Sequence, residues 1–198
     1  MKRPAAILLL IALAGAADAA EPAPPTNAVA ECRTAALQLG RGLRERLEKA
    51  LREGAPVDAI SVCQQEAPAL GRQVSGQTGL RVGRTALRVR NPDHAPDAWE
   101  RGVLEQWSKL PAGTDLTKLE TSAFVTGPDG VQELRYMKAI PTEALCLACH
   151  GEPIEPTLSV RIRSLYPTDQ ATGFRNGELR GALTVRKPMT STKPGEQP

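Results

Sequence analysis

Leu119-Glu120-Thr121-Ser122-Ala123-Phe124-Val125-Thr126, then Gly127-Pro128-Asp129-Gly130, then Val131-Gln132-Glu133-Leu134-Arg135-Tyr136-Met137-Lys138-Ala139-Ile140. Two strand-like runs joined by a Gly-Pro-Asp-Gly turn read as a β-hairpin. Leu179 to Val185, reached through Gly173 and Gly177, reads as a last strand. Upstream, Leu80 to Val89 alternates in part, through Leu80 and Val82 and then Leu87 and Val89, and ends at Asn91-Pro92. Helical patterns occupy the N-terminal third and the gaps between these strands. Helices followed by strands broken by helices predict an α+β domain, an antiparallel sheet with helices packed to one side.

Six residues after the hairpin comes Cys146-Leu147-Ala148-Cys149-His150, followed by Gly151. A Cys-x-x-Cys-His run is the attachment site of c-type haem: each thiol adds to one vinyl group, and the histidine meets the iron. A thioredoxin-like pair would need a βαβ context, which these flanks lack. A zinc site would need a second Cys/His pair at ligand spacing. A plain disulfide would leave His150 unexplained. The expectation is one covalent haem c, with Cys146 and Cys149 as thioethers and His150 as proximal iron ligand. Small cytochromes c are nearly all helical, and the hairpin and final strand argue against that fold.

The N-terminus points to export. Lys2 and Arg3 precede the apolar run Ala5 to Ala17, and Ala17-Asp18-Ala19 supplies small residues for cleavage. That run is too short for a membrane span, which needs about 20 residues. Residues 1–19 are therefore expected to be a signal peptide and the mature chain to be periplasmic, without stable membrane insertion. Val29-Ala30-Glu31 before Cys32 is not a lipobox. Covalent haem is attached on the far side of the membrane, so export and the motif agree.

Of 198 residues, cleavage after Ala19 leaves 179, enough for one domain with a core. Without Lys2, Arg3 and Asp18 the net charge falls from +3 to +2, spread along the chain, which gives no footprint for nucleic acid. Aromatic residues make up only 3% of the chain, so a large flat apolar cofactor would contribute much to the core.

Residues 20–27 form a proline-rich leader expected to be disordered. From about Ala28 to Arg52, Leu39, Leu43, Leu47 and Leu51 recur at i, i+4 on one helical face, and Gly54 follows as the stop. A second helix starts near Pro56 with an apolar stripe of Val57, Ile60, Cys63, Ala67 and Leu70; Pro68 should kink or end it. A third runs from Ala98 to Leu110, carrying Trp99, Val103, Leu104 and Trp107, and Leu158 to Leu165 suits a short helix. The domain is expected over residues 28–187 and a disordered polar tail over 188–198.

Several stretches, taken together, resemble the periplasmic haem c family with a PAS-like fold, first described as a domain of unknown function. They are Ala59-Ile60-Ser61-Val62-Cys63 with Ala67-Pro68, Arg90-Asn91-Pro92 with Trp99-Glu100, Arg135-Tyr136-Met137, the haem motif, and Tyr166-Pro167-Thr168-Asp169 through Gly181. They span about residues 30–187. Members of that family occur alone or as haem sensor domains of bacterial signalling proteins. The resemblance implies a PAS-like sheet and a Cys63 thiolate as the second axial ligand. From the residues alone, Cys63, His94, Met137, Met189 and any lysine are candidates, and a Cys32–Cys63 disulfide is the competing role in an oxidising compartment.

A thiolate ligand favours ferric iron, which suits a redox or small-ligand responsive sensor module acting through a redox partner or a separate signalling protein. An electron-transfer cytochrome is the second reading. A peroxidase-like enzyme is the third, because six-coordinate iron offers peroxide no open position.

Overall fold

The computed structural model describes residues 23–54, 56–127 and 130–189. The expected signal peptide, most of the expected leader, Pro128 and Asp129 of the turn, and the chain from residue 190 lie outside them. The chain is α+β around one four-stranded antiparallel sheet of order β1-β4-β3-β2. The strands are β1 (Arg81–Thr85), β2 (Glu120–Thr126), β3 (Gln132–Pro141) and β4 (Leu179–Pro188). The hairpin pairs as expected, Glu120 opposite Lys138 and Thr126 opposite Gln132.

Helix α1 (Thr26–Glu53) uses its apolar face in two ways. Its first half, through Cys32, Ala35, Ala36 and Leu39, is buried on the sheet against Leu134, Tyr136, Leu183 and Val185. In its second half Leu43, Leu47 and Leu51 are only half-buried. Helix α2 (Ala67–Thr78) packs Leu70 and Val74 into the same layer and closes at Gly79, whose φ of 71° is the left-handed cap glycine accepts.

Helices do not lie on one side alone. Helix α3 (Ala98–Ser108) covers the opposite face, with Leu104 against Met137 and Ala182 and with Trp99, Val103 and Trp107 around them. The reason is alternation along β3, which sends Leu134 and Tyr136 to α1 and Arg135 and Met137 to α3. Such a strand is apolar on both faces and needs cover on both. On the α3 face Arg135 pairs with Asp97 at 2.7 Å and Glu100 at 3.0 Å, and Arg186 adds a second cation at 3.1 Å from Asp97. Asp97 and Glu100 also form the capping box that starts α3.

Two strand boundaries differ from the sequence pattern. Strand β1 stops at Thr85 because β4 crowds it there: a Cβ on Gly181 would sit 2.4 Å from the Thr85 carbonyl oxygen. The chain then leaves the sheet for a 3-10 turn, Pro92–His94. Strand β4 continues past Val185 to Pro188, because β3 is long enough to pair with it through Glu133. The Met189 N–H donates to the Gln132 carbonyl at 3.0 Å, and its side chain packs against the core.

Candidate functional site

Pro68 shapes the first wall of the site. A proline has no N–H to donate and its ring crowds the preceding turn, so the chain ahead of α2 widens into a π turn, Val62–Glu66. Within it Val62 remains buried, whereas Cys63 is half-buried and lines a cavity of about 400 Å³. The expected stripe therefore divides: Ile60 joins Leu158 and Ile162, Ala67 and Leu70 are buried, and Cys63 opens onto space.

The haem motif forms the second wall. Cys146, Cys149 and His150 all line the same cavity as Cys63. Helix α4 (Leu147–His150) is a single turn, and Gly151 ends it. A Cβ on Gly151 would lie 2.7 Å from the Leu147 carbonyl oxygen, so only glycine lets the chain turn away so closely. Behind the motif, Cys149 packs against Ile60, Leu158 and Ile162, the last two carried by α5 (Pro156–Leu165).

The loop after α5 clamps the motif. Phe174 N–H donates to the His150 carbonyl at 2.8 Å, and Gly173 N–H to the Gly151 carbonyl at 3.2 Å. His150 Nδ1 lies 2.7 Å from the Ala171 carbonyl oxygen, and Phe174 meets the imidazole edge-on at 6.3 Å between centroids. Arg90 ties the two segments together, donating to the carbonyls of Cys149 at 2.6 Å and Ala171 at 3.3 Å while pairing with Asp169 at 3.1 Å. That ion pair is nearly enclosed, its side chains 10% and 6% exposed.

Helix α1 and the sheet complete the enclosure. Leu43, Leu47 and Leu51 line the cavity, which explains why that stretch of the leucine face is left half-covered by protein. Arg44 bridges from α1 to the segment before the motif, 2.6 Å from Glu143. Burial, then the charges of Arg180 and Arg90, holds His150 well below the ordinary histidine range, so the imidazole is neutral. Burial also raises the Cys149 thiol, with Cys63 and Cys146 close enough to add to that shift.

The other candidates for an axial position divide clearly. His94 is half-buried and lines the cavity. Burial and the charge of Arg84 lower its pKa to about 4. Met137 is fully buried on the α3 face, and Met189 packs at the α1 core. Neither lines the cavity. Cys32 and Cys63 are both free. Arg46 contacts Glu66 at 3.4 Å, which sets the π turn beside the second half of α1. At 1.5 Å per residue, Arg46 is about 21 Å along the helix from Cys32. Cys32 is wholly buried in the α1 core, and the disulfide alternative has no geometric basis.

Sequence reasoning missed the supports: Arg90, Asp169, Ala171 and Phe174. Arg90 and Asp169 stood in the quoted stretches, but their joint hold on the motif depends on two loops far apart in sequence. Among the described residues no cluster of three or more His, Cys, Asp or Glu side chains could hold a metal ion by itself. A metal held here would need donors beyond these side chains.

An α+β domain with Cys-x-x-Cys-His and a further cysteine on one cavity defines the class of the protein. The chain belongs to the Tll0287-like family, whose model matches residues 23–188. Among solved structures it is similar to the cyanobacterial heme-protein Tll0287, at 26% identity and a TM-score of 0.62, over 86% of this chain and 100% of that one. No curated protein matches it.

Proposed function

We propose that this chain is a periplasmic monohaem c-type cytochrome with a PAS-like domain, acting as a redox-responsive sensor module. The observation that carries the reading is the convergence of Cys146, Cys149, His150 and Cys63 on one cavity. Its apolar α1 wall suits a flat apolar macrocycle, and the family's solved heme-protein supports the same choice.

In this reading Cys146 and Cys149 would hold the porphyrin, each adding its S–H across one vinyl group to leave a thioether. His150 offers Nε2 to the metal, because Nδ1 is committed as a donor to the Ala171 carbonyl, which can only accept. Cys63, on the π turn that lines the same cavity, would supply a thiolate. When bound, the haem supplies an iron that exchanges one electron. Cys63 as an anionic ligand would favour the oxidised metal and a low potential. A change of charge at the metal would then be felt by the π turn and α2, which is where a separate signalling protein would read it.

Absorption spectra of the purified oxidised and reduced protein test the proposal. A ferric thiolate charge-transfer band that disappears on reduction, with carbon monoxide binding only to the ferrous form, is the expected result. Unchanged ligation in both states with rapid electron exchange would favour an electron carrier instead. Fast peroxide turnover by the resting protein would favour an enzyme.

A further inference from the structure

Two paired strands bring more positive charge to the cavity than the protein neutralises. Arg84 on β1 and Arg180 on β4 both line it. Arg90 lines it as well, but Asp169 compensates that charge at 3.1 Å. Arg180 has only the Arg88 carbonyl at 3.4 Å and the face of Phe174 at 5.1 Å, neither of which carries negative charge. Arg84 makes no ion pair among the described residues. Burial, then the charges of Arg90 and Arg84, pulls the Arg180 guanidinium down to about 10. It remains charged at neutral pH all the same. His94 beside them is neutral there, so it brings no competing charge.

The second arginine pair at the cavity differs. Arg41 and Arg44 on α1 are exposed, and Arg44 is committed to Glu48 at 2.7 Å and Glu143 at 2.6 Å. Of the cavity's arginines, Arg84 and Arg180 combine partial burial with no ion pair among the described residues, although Asp169 acts on Arg180 at longer range.

We infer that Arg84 and Arg180 form a carboxylate-binding subsite for the two propionates of the porphyrin, an inference that rests on the haem reading above. The ring carries its carboxylates on the side away from its vinyl groups. With Cys146 and Cys149 taking the vinyl side, the two carboxylates would be left for other groups of the cavity to meet. A guanidinium meets a carboxylate with two parallel hydrogen bonds, which fixes the tilt of the ring as well as its charge. The same pairing holds each propionate ionised.

The test uses the holoprotein with Arg84→Gln, Arg180→Gln, the double variant and Arg180→Lys. A haem-stained denaturing gel of the wild type comes first; no stain there would sink the haem reading itself. With stain present, the resonance Raman propionate bending band should shift in each single variant. Arg180→Lys should shift it while keeping the wild-type potential, since charge is kept and the fork is lost. In the double variant the potential should become pH-dependent between about pH 4 and 6, as carboxylates of ordinary pKa titrate. Arg90, His94 and Asp169 from the loops, and Arg41 and Arg44 from α1, stay in place in all four variants. A band unmoved in the single variants that retain haem would overturn the inference. So would a wild-type potential that shifts with added phosphate at constant ionic strength, because the arginines would then be serving a free anion.

Discussion

The Nδ1 atom of His150 lies 2.7 Å from the carbonyl oxygen of Ala171, twenty-one residues away. Because that oxygen only accepts, the ring proton sits on Nδ1, and the Nε2 lone pair is free at the cavity. The same carbonyl takes Arg90 at 3.3 Å, so one loop orients the imidazole and anchors the guanidinium that holds the motif.

Breaking that anchor should cost more than a surface ion pair does. Arg90 and Asp169 are nearly enclosed, and removing one partner leaves a buried charge unmatched. Asp169→Asn and Arg90→Met should each destabilise the protein by about 3–5 kcal/mol, read as a shift in urea midpoint. Haem yield should fall with them. Losses below about 1 kcal/mol would mean that the pair does not hold the motif.

Loss of the thioethers should unfold the domain. Burying several hundred Å² of porphyrin at about 25 cal/mol per Å² contributes roughly 10 kcal/mol as an upper estimate, comparable to the stability of a whole domain. The variant with both Cys146→Ala and Cys149→Ala should stain negative for haem and melt without a sharp transition. A cooperative melt at the wild-type temperature would contradict the proposed place of the cofactor in the core.

Cys63→Ala should raise the reduction potential, remove the ferric charge-transfer band and open the distal position. Cys32 sits about 21 Å along α1 from the level of the π turn, wholly buried among alanines. Cys32→Ala should therefore cost only about 1 kcal/mol through lost packing and leave the spectrum alone. An unaltered ferric spectrum in Cys63→Ala would end the thiolate assignment.

His94 should make stability fall on mild acidification. Its pKa is about 4 in the folded chain, lowered by burial first and by Arg84 next, against about 6.5 when unfolded. Between those values the unfolded chain binds the extra proton. The contribution is thus complete above pH 6.5 and is lost as pH falls toward 4. Screening of a half-buried ring limits it to about 1–2 kcal/mol. Urea midpoints at pH 7 and pH 5 should converge in His94→Gln relative to wild type; an identical pH dependence would exclude His94 as the source.

Much of the fold was legible because local patterns set it. The hairpin follows from two alternating runs about a Gly-Pro-Asp-Gly turn, and its observed register pairs those runs. Helix α3 begins at Ala98, where Asp97 and Glu100 stand at capping-box spacing. The end of β1 was not legible, since it depends on the close approach of Gly181 to Thr85 from a strand nearly a hundred residues later. Nor could sequence show that α3 takes the second face, because a helical stripe says that a face is buried and not against what.

By itself the sequence determined the reactive motif, because Cys-x-x-Cys-His is a local spacing of groups that needs no distant partner. It also determined that Pro68 would disturb the helix beyond Cys63, since a missing N–H acts within one turn. Only the tertiary structure decided that Cys63, His94, Arg84 and Arg180 share a cavity with the motif and that Met137 does not. Those placements depend on how α1, the π turn and two loops pack onto the sheet. Packing sums contacts across the whole chain, and no single stretch of residues carries that sum.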